Sequence, residues 1–209
     1  MSQWLQETVL EGQYVTLIPL CHDHKEALID AASDGDLWEL WYTGVPSPDN
    51  IEEYISVALS EHEAGRALAF VVIDNAIKKI IGSTRYTNAK PMHRRLEIGY
   101  TWYAQRFQRT AVNTECKLLL LAHAFDHLQA IAVEFCTHWH NQASRRAIAR
   151  LGAKQDGVLR NHQIGADGTY RDTVVFSIIE SEWPAVRKSL TFRLERRRND
   201  QNLSCESPG

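Results

Sequence analysis

Residues 96–121 read LEIGYTWYAQRFQRTAVNTECKLLLL, and the fold turns on where strand gives way to helix inside them. From Leu96 to Tyr103 the side chains alternate with the two-residue period of a strand. That period puts Leu96, Ile98, Tyr100 and Trp102 on one face and Glu97, Gly99, Thr101 and Tyr103 on the other. From about Thr114 to Asp126 a leucine-rich run reads as a helix. The polar turn between them, Gln108 to Thr114, aims several backbone amides at one point, next to the positive end of a helix dipole. Arg106 and Arg109 add formal charge, so the turn suits an anion such as a pyrophosphate. The plainer alternative is an ordinary strand-to-helix turn capped by Asn113 or Thr114.

Working outward, Tyr14–Leu20 alternates as a strand, and residues 22–42 read as helical with a break near Ser33–Asp36. Asp49 with Glu52 resembles a capping box for a helix that Gly65 ends. Ala67–Asp74 and Lys79–Tyr86 form a hairpin, Ile131–Thr137 is a strand, and Ser144–Leu151 is an amphipathic helix stopped by Gly152. Gln155–Gln163 and Thr169–Ile179 make a last hairpin across the turn IGADG at 164–168. Ser181 caps a closing helix, with Pro184 tolerated in its first turn. The stretch 191–209 holds the end of that helix and then, from about Arg196, a polar mobile tail. The early strands pair as antiparallel neighbours, while the strand–loop–helix–strand unit over 96–137 demands a parallel pair. The expected class is therefore a mixed α/β sheet.

Bulk composition narrows the function. Of 209 residues, 44% are hydrophobic and 23% charged, and Lys+Arg 23 against Asp+Glu 26 leaves a net charge of -3. That is an ordinary globular balance and no footprint for nucleic acid. No apolar run reaches the length of a membrane span, and MSQWLQETVLEGQ does not read as a signal peptide. Scattered Cys21, Cys116, Cys136 and Cys205, with no CxxC pair, read as free thiols of a cytoplasmic protein.

Three segments together, LEIGYTWYAQRFQRTAVNTECKLLLL, FCTHWHNQASRRAIARLGAKQDGVLRNH and GTYRDTVVFSIIESEW, resemble the GNAT superfamily of acyl-CoA-dependent N-acetyltransferases. The resemblance is nearest the ribosomal-protein branch called RimJ/RimL-like and spans most of residues 14–190. It implies one GNAT domain over 1–190. The implied sheet is mostly antiparallel, of about seven strands, splayed between the fourth and fifth and flanked by helices. It also implies acetyl-CoA as co-substrate, no metal, and an amine acceptor, with a homodimer possible. The family's pyrophosphate loop follows Gln/Arg-x-x-Gly-x-Gly/Ala. Gln108, Ala111 and Asn113 stand at its positions here, so neither glycine place holds glycine. A Cβ at 111 narrows the approach of a phosphate. By the resemblance Gln108, Arg109, Thr110, Ala111, Val112, Asn113 and Thr114 face the diphosphate. Amides around Tyr100, Thr101, Trp102 and Tyr103 line the thioester, and Asn141 meets the pantetheine arm or simply caps its helix.

Acetyl transfer to an amine needs a neutral nucleophile, a donor for the oxyanion and help for the leaving thiolate. Glu97, the Glu of the family's E-I-G-Y pattern, is the candidate base; paired with Arg94 or Arg95 it would be a plain surface ion pair. Ser144, and after it Tyr103, are candidates for assisting the thiolate. Positioning an already neutral amine can also suffice. Cys136, His138 and His140 share a strand face but lack a fourth ligand at useful spacing, so no metal is expected. Trp38, Trp41 and Tyr42 read as helical core or as one wall of an acceptor groove, and Asp172 as an acceptor-orienting residue or a turn closer. The acceptors in view are a protein N-terminus, a polyamine and an aminoglycoside. A non-catalytic acyl-CoA-binding regulator is the rival of another class, and a scaffold without CoA affinity is the third reading.

Overall fold

The computed structural model describes residues 4–165 and 167–205; residues 1–3, Ala166 of the expected 164–168 turn and residues 206–209 lie outside it. Among the described residues, eight strands form one sheet: β1 Leu10–Glu11, β2 Val15–Pro19, β3 Leu68–Asp74, β4 Lys79–Lys90, β5 Arg95–Tyr103, β6 Ala132–His138, β7 Lys154–Ile164 and β8 Tyr170–Ile179. Their spatial order is β1-β2-β3-β4-β5-β6-β8-β7. Neighbours are antiparallel except β5 and β6, which are parallel. The count exceeds seven because Leu10–Glu11 adds a two-residue edge strand, too short to leave a periodic signal.

The helices that cover the sheet are α1 Lys25–Ser33, α2 Ile51–Glu63, α3 Val112–Ala122, α4 Gln142–Leu151 and α5 Trp183–Cys205. One face packs Leu28, Ala31, Ile51, Ile55 and Ala58 of α1 and α2 onto Ala69, Val71 and Trp102. The other packs Cys116, Leu120, Ile148, Leu151, Trp183 and Leu190 of α3, α4 and α5 onto Phe70, Tyr86, Leu96, Ile98 and Val133.

Two features of β5 position the site. Its pairing with β6 covers only Arg95↔Ala132, Leu96↔Val133 and Glu97↔Glu134. Beyond that point β5 runs on to Tyr103 while β6 stays with β8 as far as His138, so the sheet opens at the carboxyl ends of its two parallel strands. Against β4, Ser83 faces Trp102 but Arg85 faces Gly99, which sets both Tyr100 and Thr101 opposite Thr84. This β-bulge puts Tyr100 at φ 50, a left-handed conformation costly for an aromatic residue.

The bulge overturns the simple alternation expected for β5. Glu97, Gly99, Tyr100 and Trp102 lie toward α2, whereas Leu96, Ile98, Thr101 and Tyr103 lie toward α3. Period-two reading fails here because one extra residue flips every later side chain to the other face.

Helix ends also differ from expectation. α2 starts after Asn50, whose Oδ1 accepts from Ser47 N at 2.8 Å, and no Asp49–Glu52 box forms. Before α5, Glu182 rather than Ser181 does the capping, reaching Ile179 N at 3.3 Å. The structureless tail expected from Arg196 is replaced by helix as far as Cys205. Its arginines hold other parts of the chain: Arg193 donates to Arg150 O, and Arg197 Nη2 donates to Arg109 O at 2.9 Å. Contacts made by charged side chains leave no apolar period to read.

Candidate active site

The loop before α3 is built by its own polar side chains. Gln108 Nε2 donates to Tyr103 O at 3.1 Å, and Thr110 Oγ1 donates to Phe107 O at 2.7 Å while accepting from Val112 N at 3.2 Å. Ala111 is the Ncap, at φ -68, and offers no capping side chain of its own; Thr110 takes up the Val112 amide in its place. Neither Asn113 nor Thr114 acts as the cap: Asn113 Oδ1 accepts instead from the Tyr103 hydroxyl at 3.3 Å, and Thr114 is buried. The first intrahelical bond here is Glu115 N to Ala111 O. The amides of α3's first turn therefore carry no intrahelical partner, and with Val112 N held by Thr110 those of Asn113 and Thr114 are left to receive an anion. The left-handed turn falls on Arg109, at φ 62. Ala111 and Asn113, the family's glycine places, need no positive φ and carry no strain. These features fit a diphosphate.

Glu115 was not singled out by sequence reasoning. Its carboxylate, one turn into α3, accepts from Gln13 N (2.9 Å), Tyr14 N (2.6 Å) and Val15 N (2.8 Å). A Cβ on Gly12 would come within 2.6 Å of it, so Gly12 is glycine for close approach. A polar residue inside a leucine-rich run was the available signal.

On the α3 side of the bulge, Lys117 donates to Thr101 Oγ1 and, at 3.3 Å, to Thr84 Oγ1. Burial lowers its pKa to about 8. Lys117 also lay outside the sequence reading, hidden by its apolar neighbours.

Glu97 is buried on the α2 side, where its Oε2 accepts from Asn88 Nδ2 at 2.7 Å. Burial raises its pKa, against the lowering effect of hydrogen bonds from Asn88 and Cys136. Burial, with the carboxylates of Glu97 and Glu134 behind it, pushes the Cys136 thiol up to about 12. The alternative, a surface pair with Arg94 or Arg95, does not form: Glu97 is buried and Arg95 is engaged by Glu134. Tyr103 lies on the opposite face, buried beside Asn113 and Cys116, with its phenol pKa raised by burial. Ser144 sits in the first turn of α4, its N–H held by Asn141 Oδ1 at 2.9 Å. Asn141 is thus the helix cap, with its amide nitrogen spare. The structure does not hydrogen-bond Ser144 or Tyr103 to Glu97.

A pocket of about 650 Å³ opens beside the bulge, lined by residues 43–50, Trp38, Glu53, Tyr54, Val57, Arg85 and Tyr100. Trp38 therefore forms a wall, whereas Trp41 is exposed and meets the His138 ring edge-on at 4.9 Å. Asp172 holds Arg160 and Asn161 N of the β7–β8 hairpin, which favours its local structural reading. Among the described residues, no group of three or more His, Cys, Asp or Glu is placed to hold a metal ion. No helix among them is long and apolar enough to cross a membrane.

Comparison with known proteins bears on this geometry. Residues 15–154 match the family model described as an acetyltransferase (GNAT) domain. The Bacillus subtilis (strain 168) protein YoaA, an uncharacterized N-acetyltransferase, is 25% identical over 175 residues, 82% of this chain and 97% of that protein. An acetyltransferase structure from T. thermophilus superposes with TM-score 0.79 at 32% identity, covering 91% of this chain and 99% of its own. Mycobacterium smegmatis RimJ in complex with CoA-disulfide superposes with TM-score 0.72 at 22% identity, over 86% of this chain and 88% of that one, a likeness of fold. With the opened sheet and the helix that starts beside it, these matches show that the chain belongs to the GNAT family of N-acetyltransferases, whose domain implies acetyl transfer from acetyl-CoA to an amine.

Proposed function

We propose that the protein acetylates an α-amine, by direct attack of the neutral amine on the thioester carbonyl of acetyl-CoA. In that step the N–C bond forms, the C–S bond breaks, and the amine's surplus proton leaves toward solvent or a nearby base. The observation that carries the reading is the early end of β5–β6 pairing at Glu97↔Glu134, beside the first turn of α3. The free edge of β5 beyond Glu97 offers backbone groups to an extended amide arm and amides to the developing oxyanion. The turn at Arg109 and the first amides of α3 receive the diphosphate.

An α-amine has a pKa of about 8, against about 10.4 for a lysine side chain, so a useful fraction is neutral without a strong base. A protein N-terminus belongs to this class, and a structure of the same fold named a ribosomal-protein-S5-alanine acetyltransferase supports a protein acceptor. A free small amine is the second reading, supported by a pocket of about 650 Å³ with a buried floor. A regulator that binds acyl-CoA without turnover loses part of its motive, because the missing glycines cost no backbone strain at Ala111 or Asn113.

Glu97 is the proposed base, acting through water from the α2 side, and its raised pKa makes it a better acceptor. Ser144 is proposed to assist the leaving thiolate. Tyr103 has the weaker claim, since its phenol is buried against Asn113 and Cys116. E97Q is expected to lower kcat about a hundredfold and to leave only the amine's own titration in the acidic limb of the pH profile. Full activity at every pH would end the base assignment. Thiol release from acetyl-CoA that requires an added α-amine tests the reaction itself; saturable CoA binding with no turnover of any amine would refute it.

A further inference from the structure

Arg85 is 3% exposed, yet its Nε and Nη2 are buried with no hydrogen-bond partner. Its guanidinium carbon lies 4.3 Å from the Tyr100 ring centroid and 5.1 Å from that of Tyr54. Those rings satisfy the faces of the cation but leave its N–H edge unmet. Glu61 feels the charge electrostatically but is committed to Arg66 by hydrogen bonds of 2.8 and 2.6 Å. A buried cation whose N–H groups lack partners is costly, and a fold tolerates it where a ligand completes it.

The position of Arg85 says which ligand. It lines the pocket between α2 and residues 43–50, and Tyr100 is common to that pocket and to the bulge in β5. An anion held at Arg85 therefore lies within a small molecule's length of the opened edge where the thioester is proposed to lie. The planar fork of a guanidinium matches the two oxygens of a carboxylate. Exposed Asp49 and Glu53 line the same pocket; they attract an incoming ammonium pole and repel a dianion such as a phosphate ester.

We propose that the acceptor carries a carboxylate next to its primary amine, and that Arg85 is the residue that binds it. The proposal rests on the acetyl-transfer reading above and narrows it. Two sources share this chemistry: the free α-carboxylate of an amino acid and the acidic side chain of a peptide's first residue. A polyamine or an aminoglycoside lacks the group.

The test compares kcat/KM for L-amino acids with their α-amides, for peptides beginning with Asp or Glu with those beginning with Asn or Gln, and for putrescine and O-phosphoethanolamine. At least a tenfold preference for the carboxylate form is expected in one of the two matched series, and the series that shows it identifies the source. R85Q should erase that ratio while leaving the KM for acetyl-CoA unchanged, and R85K should restore part of it. Equal rates for acids and amides, or better turnover of putrescine or O-phosphoethanolamine, would overturn the assignment. A ratio that survives in R85Q would do the same. If neither variant folds, the wild-type ratios still decide. If no amine is acetylated, the acetyl-transfer reading fails by itself, and glutamate binding judges Arg85 separately. A rise in melting temperature with glutamate in the wild type, smaller in R85K and absent in R85Q, supports the site. An equal response, or none in the wild type, refutes it.

Discussion

Two charges are buried on opposite sides of this molecule, and they are treated in opposite ways. The Glu115 carboxylate is closed off by three backbone amides of the N-terminal segment. Arg85, equally shielded from water, keeps two nitrogens without a partner. The first spends three of its acceptor sites inside the fold; it ties residues 13–15 to the helix that carries the proposed diphosphate turn. The second has capacity and no internal use for it. Burial alone does not separate architecture from function in this chain. Whether the buried group has been satisfied does.

That contrast can be broken by mutation. The largest effect is expected at Glu115. E115A strips the acceptor from three amides and should cost on the order of 4 kcal/mol, read as a lowered denaturation midpoint. A loss below about 1 kcal/mol would mean that water replaces the carboxylate and that the segment is not pinned.

Lys117 extends the comparison to a third buried charge, bonded to two threonine hydroxyls. Its ordinary pKa of 10.5 falls to about 8 in the fold. The native state thus gives up the proton more readily than the unfolded chain. The associated stability is complete above 10.5 and is lost as pH falls through about 8. At neutral pH, K117M should gain about 2 kcal/mol, and the gain should vanish toward pH 10.5. Stability curves of the two proteins that stay parallel from pH 7 to 10.5 would remove the lysine from this account.

A smaller change is expected at Arg109. R109G relieves the left-handed turn at φ 62 and should add at most about 1 kcal/mol of stability. By removing a cation near the proposed diphosphate it should also raise the KM for acetyl-CoA up to about fivefold. Improved stability with an unchanged KM would show that the backbone alone makes the anion site. The smallest stability effect is expected at Arg85, where R85M should cost less than about 1 kcal/mol because no internal hydrogen bond from Nε or Nη2 is lost. A cost comparable to that of E115A would make the two charges alike after all.

Much of the fold could be read from local period. The parallel β5–β6 pair follows from the strand–helix–strand unit over 96–137, and the hairpins follow from their turns. The candidate loop was legible too, because an anion cradle needs only a helix start and backbone amides. What escaped was set by tertiary partners. The bulge at Tyr100–Thr101 leaves alternating residue types intact while reversing their faces. Glu115 and Lys117 look like ordinary breaks in an apolar stripe until residues far away in the chain arrive as partners. Arg85 sits in a plain strand, and its importance lies in bonds it does not make, which no linear pattern encodes. The extension of α5 to Cys205 was hidden because arginines bonding to distant carbonyls leave no amphipathic signature.

The contact of Arg197 with Arg109 O reaches further than its own length. A trans peptide is a rigid plate whose oxygen and hydrogen point in opposite directions. Fastening the oxygen of the Arg109–Thr110 plate therefore fixes the opposite direction for the Thr110 hydrogen. The terminal helix in this way sets the bearing of an amide that it never touches, and acts as a rudder for the turn ahead of α3.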